Sequence, residues 1–327
     1  MVAHAPITTL PPIILERLKK HRVLNGLRRT PKVFSDTTDF TAIDYGDVIN
    51  IENEYFLVTS FTKEGRFGVD EQIKPWVPKV EELTSSRRYI VKLVFHERFD
   101  MRMGQFVVTC YRNPEKEAQI LELVEGRPHF MQGRPLLDAV GNLVRVIEPI
   151  NGYRLDKYIH RSGSSHEEYF YYELPSILER YLKCVEGIIY LHSKGFRHGD
   201  IRRDHIFVDR KSGEFSWIDY DYDFYLPERP FALDLFELGN ILLYLTGREH
   251  YTLSDLSQNY PTALPSITPD DMGLLVKTRV VNLKKIFPYI PDSLNNILLH
   301  FSTSANVFYE STKEFYDDLL RAWEELS

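Results

Sequence analysis

The sequence predicts an α+β protein of two lobes: a small antiparallel β-sheet lobe with one helix, then a larger, mainly helical lobe. Three observations predict it. From residue 46 to about 110, the runs YFLVTSF, RRYIVKLVFHE and QFVVTCY carry the aromatic and β-branched content of strands. After Gly152 apolar residues recur at helical spacing, most clearly from Leu174 to His192 through Ile177, Leu178, Tyr181, Val185, Ile188, Ile189 and Leu191. The 327 residues suffice for two substantial cores. The divisions that follow are an N-terminal helical extension at 1–45, a first lobe at 46–149 and a second lobe at 150–327. A ligand cleft is expected at the junction, near Glu148–Gly152.

Taken in order, Pro11 and Pro12 precede IILERLKKHRVLNGLRR, a helix-like basic segment, because proline suits a first helical turn. Ile14 and Leu18 would pack it. The strand runs follow, with VDEQIKPWVPKVEELTSS at 69–86 standing as an insertion, a solvated hairpin or a lid. Pro114 and the acids that follow it open a helix in PEKEAQILELVEG. LVRVIEPI is another buried strand. LDKYIH, the polar spacer RSGSSHEE and the long periodic helix come next. HIFVD and EFSWID are short strands flanking the turn RKSG. LDLFELGNILLYLTG is an apolar helix closed by Gly247. The stretch 249–282, with Pro261, Pro265 and Pro269, is looser, and the final 35 or so residues are helical again.

Composition narrows the function classes. With 43% hydrophobic and 27% charged residues the chain has an ordinary globular balance, and its formal charge of -7 argues against nucleic acid as the main partner. Two cysteines, Cys110 and Cys184, support neither a disulfide framework nor a clustered metal site and fit a reducing compartment. No run reaches the roughly 18 apolar residues of a membrane span. Without a basic start and apolar run like those of a secretory signal, the expected location is cytoplasmic.

The most informative stretch is His198-Gly199-Asp200-Ile201-Arg202-Arg203-Asp204-His205, followed by IFVD, a turn, and Trp217-Ile218-Asp219-Tyr220-Asp221. Here the chain resembles the protein-kinase-like superfamily, in the form found in choline and aminoglycoside kinases. Lys92 in YIVKLVF matches the strand lysine of that superfamily and Glu117 in KEAQIL its helix glutamate. Lys63-Glu64-Gly65-Arg66-Phe67-Gly68 resembles the glycine-rich loop, with Lys63 in place of its first glycine. Ile147-Glu148-Pro149-Ile150-Asn151-Gly152 is similar to the hinge, and Asp234-Leu235-Phe236-Glu237-Leu238-Gly239 to the buried aspartate and helix beneath the catalytic loop. The resemblance covers residues from roughly 50 to 320.

It implies a nucleotide site and a set of roles. Asp200 would accept or orient the proton of a substrate hydroxyl. Asp219 would ligate Mg²⁺. Lys92, positioned by Glu117, would neutralise phosphate charge. Gly65 and Gly68 would let the backbone approach phosphate, with Lys63 beside them, while Glu148 and Ile150 would hold adenine through their backbone groups. His198 is expected to scaffold the loop.

Two departures matter most. His205 stands where the superfamily has a metal-binding Asn, and imidazole is a poor ligand for Mg²⁺ but accepts Mn²⁺. One metal, a preference for Mn²⁺, an oxygen supplied by Asp221, or loss of catalysis are all compatible with it. Asp219 and Asp234 are only fifteen positions apart, too close for the activation segment and peptide platform of ordinary protein kinases, and Gly199 leaves no arginine beside Asp200. The leading expectation is therefore an ATP-dependent phosphotransferase acting on a small-molecule hydroxyl. The alternatives are a pseudokinase that binds nucleotide or a partner protein, and an atypical Ser/Thr protein kinase.

Overall fold

The computed structural model describes residues 4–66, 69–103, 106–305 and 308–327, with the side chains of 64–71 and 103–106 left aside. It has a sheet-rich N-terminal region and a helix-rich C-terminal region, and the chain divides into two compact units. The first comprises Met1–Glu97, Asn113–Arg127 and Met131–Ile150; the second comprises Arg98–Arg112, Pro128–Phe130 and Asn151–Ser327.

The first unit begins with β1 (His4–Pro6), α1 (Pro12–Lys20), β2 (Lys32–Phe34), β3 (Val48–Ile51), β4 (Glu54–Arg66), β5 (Val69–Glu82) and β6 (Arg88–Lys92). The chain then contributes a hairpin to the second unit, β7 (Arg98–Met103) and β8 (Phe106–Arg112). It returns for α2 (Pro114–Leu123), β9 (Gly133–Leu137) and β10 (Leu143–Ile147). The strands of the first unit form one eight-stranded sheet in the order β1-β2-β3-β4-β5-β6-β10-β9.

This sheet is larger than the composition of 46–149 suggests, and it is mixed rather than purely antiparallel. Residues 4–45 contribute β1 and β2 to it. Val33 and Phe34 of β2 pair in parallel with Val48 and Ile49, and α1 buries Ile14 and Leu18 in a cluster with Val33, Val48 and Leu57. The apparent insertion at 69–86 is likewise largely β5, paired with both β4 and β6. Its β-branched residues Val77 and Val80 are buried, and Trp76 stacks on Phe95 with ring centroids 4.1 Å apart. Charged residues on one face of a strand obscured a core face on the other, as a period-two pattern allows.

In the second unit the chain continues through β11 (Gly152–Arg154), α3 (Leu155–Ile159), α4 (His166–Glu168), α5 (Leu174–Ser193), β12 (Ile206–Asp209), β13 (Phe215–Trp217) and β14 (Tyr222–Phe224). It ends with α6 (Ala232–Gly247), β15 (Tyr251–Thr252), α7 (Leu253–Asn259), β16 (Arg279–Val280), α8 (Asp292–Leu299) and α9 (Thr312–Leu326). The polar stretch 249–282 thus carries a helix and a short strand pair. Helix α5 buries the expected Ile177, Leu178, Tyr181, Val185, Ile188 and Leu191, as well as Cys184, whose backbone carbonyl accepts from Trp217 Nε1 at 2.8 Å. Both cysteines are free and buried. Among the described residues, no helix is long and apolar enough to cross a membrane.

Helix α6 is apolar almost throughout and nearly all buried. At Gly239 it meets the Phe301 ring so closely that an added Cβ would lie 2.3–2.5 Å from the ring atoms. That ring cannot swing aside, because Phe236, Phe308, Tyr309 and Phe315 surround it. Gly239→Ala is therefore expected to destabilise the protein by about 2 kcal/mol through overpacking. A lowered urea midpoint would show it; an unchanged midpoint would mean that the ring has room to move.

Candidate functional site

The hairpin β12–β13 assembles the candidate site. Ile206 pairs with Trp217, and the Ile218 amide donates to the His205 carbonyl at 3.0 Å. This register puts His205, at the entry to β12, beside Asp219, just past the exit of β13. His205 Nε2 lies 3.6 Å from Asp219 Oδ2, and His205 Nδ1 lies 3.4 Å from Asp200 Oδ2. The imidazole therefore sits between the two carboxylates. Its Nδ1 is also 2.8 Å from the Asp200 backbone carbonyl. A carbonyl only accepts, so Nδ1 carries a proton, and Nε2 faces Asp219.

Asp219 adopts φ +68°, a left-handed conformation that aspartate tolerates better than most residues. A carboxylate oxygen of Asp219 lies within 4.8 Å of one of Asp221, so this unit groups hard oxygen donors able to hold a metal ion. Asp221 is also committed elsewhere: Arg112, at the end of β8, donates to its Oδ2 at 2.5 Å. Burial works against the Arg112 charge, but Asp221, Tyr222 and Asp219 outweigh it and hold the guanidinium above its ordinary range. β8 also pairs with β14, with Arg112 opposite Tyr222, so the strand after Asp221 is fixed to the hairpin at 98–112.

The loop bearing Asp200 hangs from α6. Asp234, in the first turn of that helix, is 1% exposed. It accepts from the amides of His198, at 2.6 Å, and Gly199, at 2.9 Å, and from His192 Nε2 at 3.0 Å. Gly199 at φ +86° supplies the left-handed turn that points both amides at one carboxylate. Burial alone would raise the Asp234 pKa. The His192 hydrogen bond and charge, with His198 and the Gly199 amide, outweigh burial and keep it below the ordinary value. His198 is itself fully buried, with its ring edge-on to Trp217 and Tyr220 and its Nδ1 accepting from the Asp200 amide at 3.3 Å. It shapes the loop, as expected from its sequence. Asp200 differs from Asp234: burial pushes its carboxyl up, Asp219 and Asp221 add to the rise, and His205 and Arg202 oppose it.

The remaining predicted residues lie in the first unit. Lys92, the last residue of β6, donates from Nζ to Glu117 Oε1 at 2.6 Å, and Glu117 of α2 is wholly buried. The other carboxylate oxygen accepts from Arg145 Nε at 3.1 Å. Sequence reasoning missed Arg145, although an arginine inside the apolar strand LVRVI is the kind of buried charge that calls for a partner. Arg112 gave no comparable signal. Glu148 and Ile150 follow β10, and the Glu148 amide donates to the Gln132 carbonyl at 2.9 Å. Lys63 is exposed on β4. Gly65 also belongs to β4, and Gly68 lies outside the described residues.

No protein-family model and no curated protein matches the chain.

The Asp234 carboxylate sets a testable acid dependence. Its pKa is lowered on folding, so its contribution is present above the unfolded value near 3.8 and is lost as pH falls through the lower folded value. Asp234→Asn should cost about 2–3 kcal/mol near neutral pH by leaving buried donors poorly matched. The gap between variant and parent in urea unfolding should narrow below about pH 4. An equal gap at both pH values would remove the charge from the explanation.

Proposed function

We propose that the chain is a divergent kinase-like phosphotransferase that moves a phosphoryl group from ATP to a hydroxyl of a small molecule. The observation that carries this reading is the grouping of Asp200, His205 and Asp219 by the β12–β13 hairpin, on a loop fixed from below by Asp234. The buried Lys92–Glu117 pair supports it further, since phosphoryl transfer relies on positioned charge more than on covalent chemistry.

In this reading Asp200 takes the proton from the acceptor hydroxyl as its oxygen bonds to the terminal phosphorus of the nucleotide, and the diphosphate leaves with the electron pair. A carboxyl with a raised pKa is a stronger base than an ordinary aspartate. Lys92, held by Glu117, neutralises phosphate oxygens. The donor set fits a divalent cation: Asp219 offers hard oxygen, and His205 offers an imidazole nitrogen that suits Mn²⁺ better than Mg²⁺. A bound cation would supply charge neutralisation at the transferred group.

One observation favours a second reading, a nucleotide-binding protein without catalysis. His205 replaces the amide expected at its position, and its Nδ1 is tied to the Asp200 carbonyl. Calorimetry with ATP plus Mg²⁺, plus Mn²⁺, or plus EDTA separates these readings from neither being right. Metal-dependent binding should appear with both cations and weaken in Asp219→Asn. Absence of nucleotide binding under every condition would sink both.

Three kinetic outcomes are expected if the protein transfers phosphate. Asp200→Asn should lower kcat by about 10²–10⁴ while leaving nucleotide affinity nearly unchanged. The acid limb of kcat/KM should lie above the ordinary aspartate value of 3.8, because Asp200 must be ionised to act. His205→Asn should shift the metal preference from Mn²⁺ towards Mg²⁺ by about tenfold, measured as ADP release with each metal.

A further inference from the structure

Within the second unit, a cavity of about 390 Å³ opens beside the loop that carries Asp200. Four arginines line it, and they are not equivalent. Arg154 and Arg202 each close a two-bond pair with the carboxylate two residues on, Asp156 and Asp204, at 2.7–3.0 Å. Arg203 and Arg279 make no ion pair with a carboxylate among the described residues. The Arg203 guanidinium lies over the Tyr244 ring, 4.6 Å from its centroid, and Arg279 Nη1 donates to the neutral Asn240 side chain at 3.0 Å.

The surroundings of these two cations point the same way. Burial disfavours the charge on Arg279, Glu237 favours it, and Arg203 adds to the disfavour. Both arginines reinforce burial in driving the His250 pKa down to about 3, so that ring is neutral. His250 Nδ1 is buried with no hydrogen-bond partner among the described residues. The nearby acid, Glu237, is pushed up to about 7, chiefly by burial, and so only partly offsets the positive charge. The Asp200 charge also acts on Glu237, which puts the cavity within electrostatic reach of that carboxylate. Two guanidinium forks and a neutral imidazole facing one polar cavity suit an anion with several oxygens.

We propose that this cavity holds a phosphate group of the acceptor, so that the substrate is a small phosphorylated hydroxy compound whose free hydroxyl is presented to Asp200. The statement about the acceptor rests on the phosphotransfer reading; the anion site itself does not. The volume exceeds that of a lone phosphate, and Tyr244 and Ile241 give the rest of the ligand an apolar wall.

The test uses the full chain and inorganic phosphate as probe, by calorimetry without nucleotide. One saturable site is expected. Arg203→Gln, which changes an exposed side chain, should weaken it at least tenfold, and Arg279→Gln should do the same. Lys194→Gln, an exposed lysine outside the cavity, should leave it unchanged. A lack of saturable binding, or full affinity in Arg203→Gln with its unfolding midpoint unaltered, overturns the site. ATP titrations on the same proteins judge the phosphotransfer reading separately. With ATP present, phosphorylated polyols and sugars should stimulate ADP release in the parent and not in Arg203→Gln. Equal stimulation by their unphosphorylated counterparts would overturn the assignment of the acceptor.

Discussion

The carboxylate of Asp234 is the fixed point on which the second unit's chemistry depends. A fully buried anion is costly unless its oxygens are occupied, and here they are occupied by two consecutive loop amides and an imidazole. The same imidazole reaches further: Thr312 Oγ1, at the start of α9, lies 3.0 Å from His192 Nδ1, and the His192 ring stacks on Phe231 at 4.1 Å. One charge thus links α5, α6, α9 and the loop of Asp200. The loop needs no regular structure of its own because its position is dictated by what Asp234 demands.

The hairpin after that loop works on a complementary principle. Its hydrogen bonds are ordinary backbone pairing, yet their register brings an imidazole and two carboxylates to one end. The strain at Asp219 is tolerable because the flanking strands fix the backbone on both sides, Trp217 through Cys184 and Tyr222 through Arg112. In the first unit, Glu117 plays a role similar to that of Asp234, with Lys92 and Arg145 occupying its two oxygens. In each unit a buried acid orients the polar groups around it.

Much of this was legible in the residues. The sheet-then-helix order and the core face of α5 follow from local pattern, whereas the pairing of Lys92 with Glu117 and the buried place of Asp234 are what the resemblance of their motifs implies. The misses share a cause. β5 is read as an insertion because VDEQIKPWVPKVEE is polar on one face, and α1 with β2 as an extension because short strands declare themselves only through their neighbours. Arg112 and the Arg203–Arg279 cavity depend on residues far apart in the chain, brought together by pairings such as β8 with β14 that no local signal announces.

The path of the chain has a further consequence, for synthesis. The polypeptide passes from one unit to the other five times, at 97/98, 112/113, 127/128, 130/131 and 150/151. No single cut yields two intact pieces. On a ribosome, β7 and β8 emerge early and can pair with each other, but the partner for the other edge of β8, at Tyr222–Phe224, follows about 110 residues later. Until then that edge is an open template for the wrong strand. The second unit therefore cannot close until most of the protein has been made, and a nascent chain has reason to depend on chaperones over just that interval.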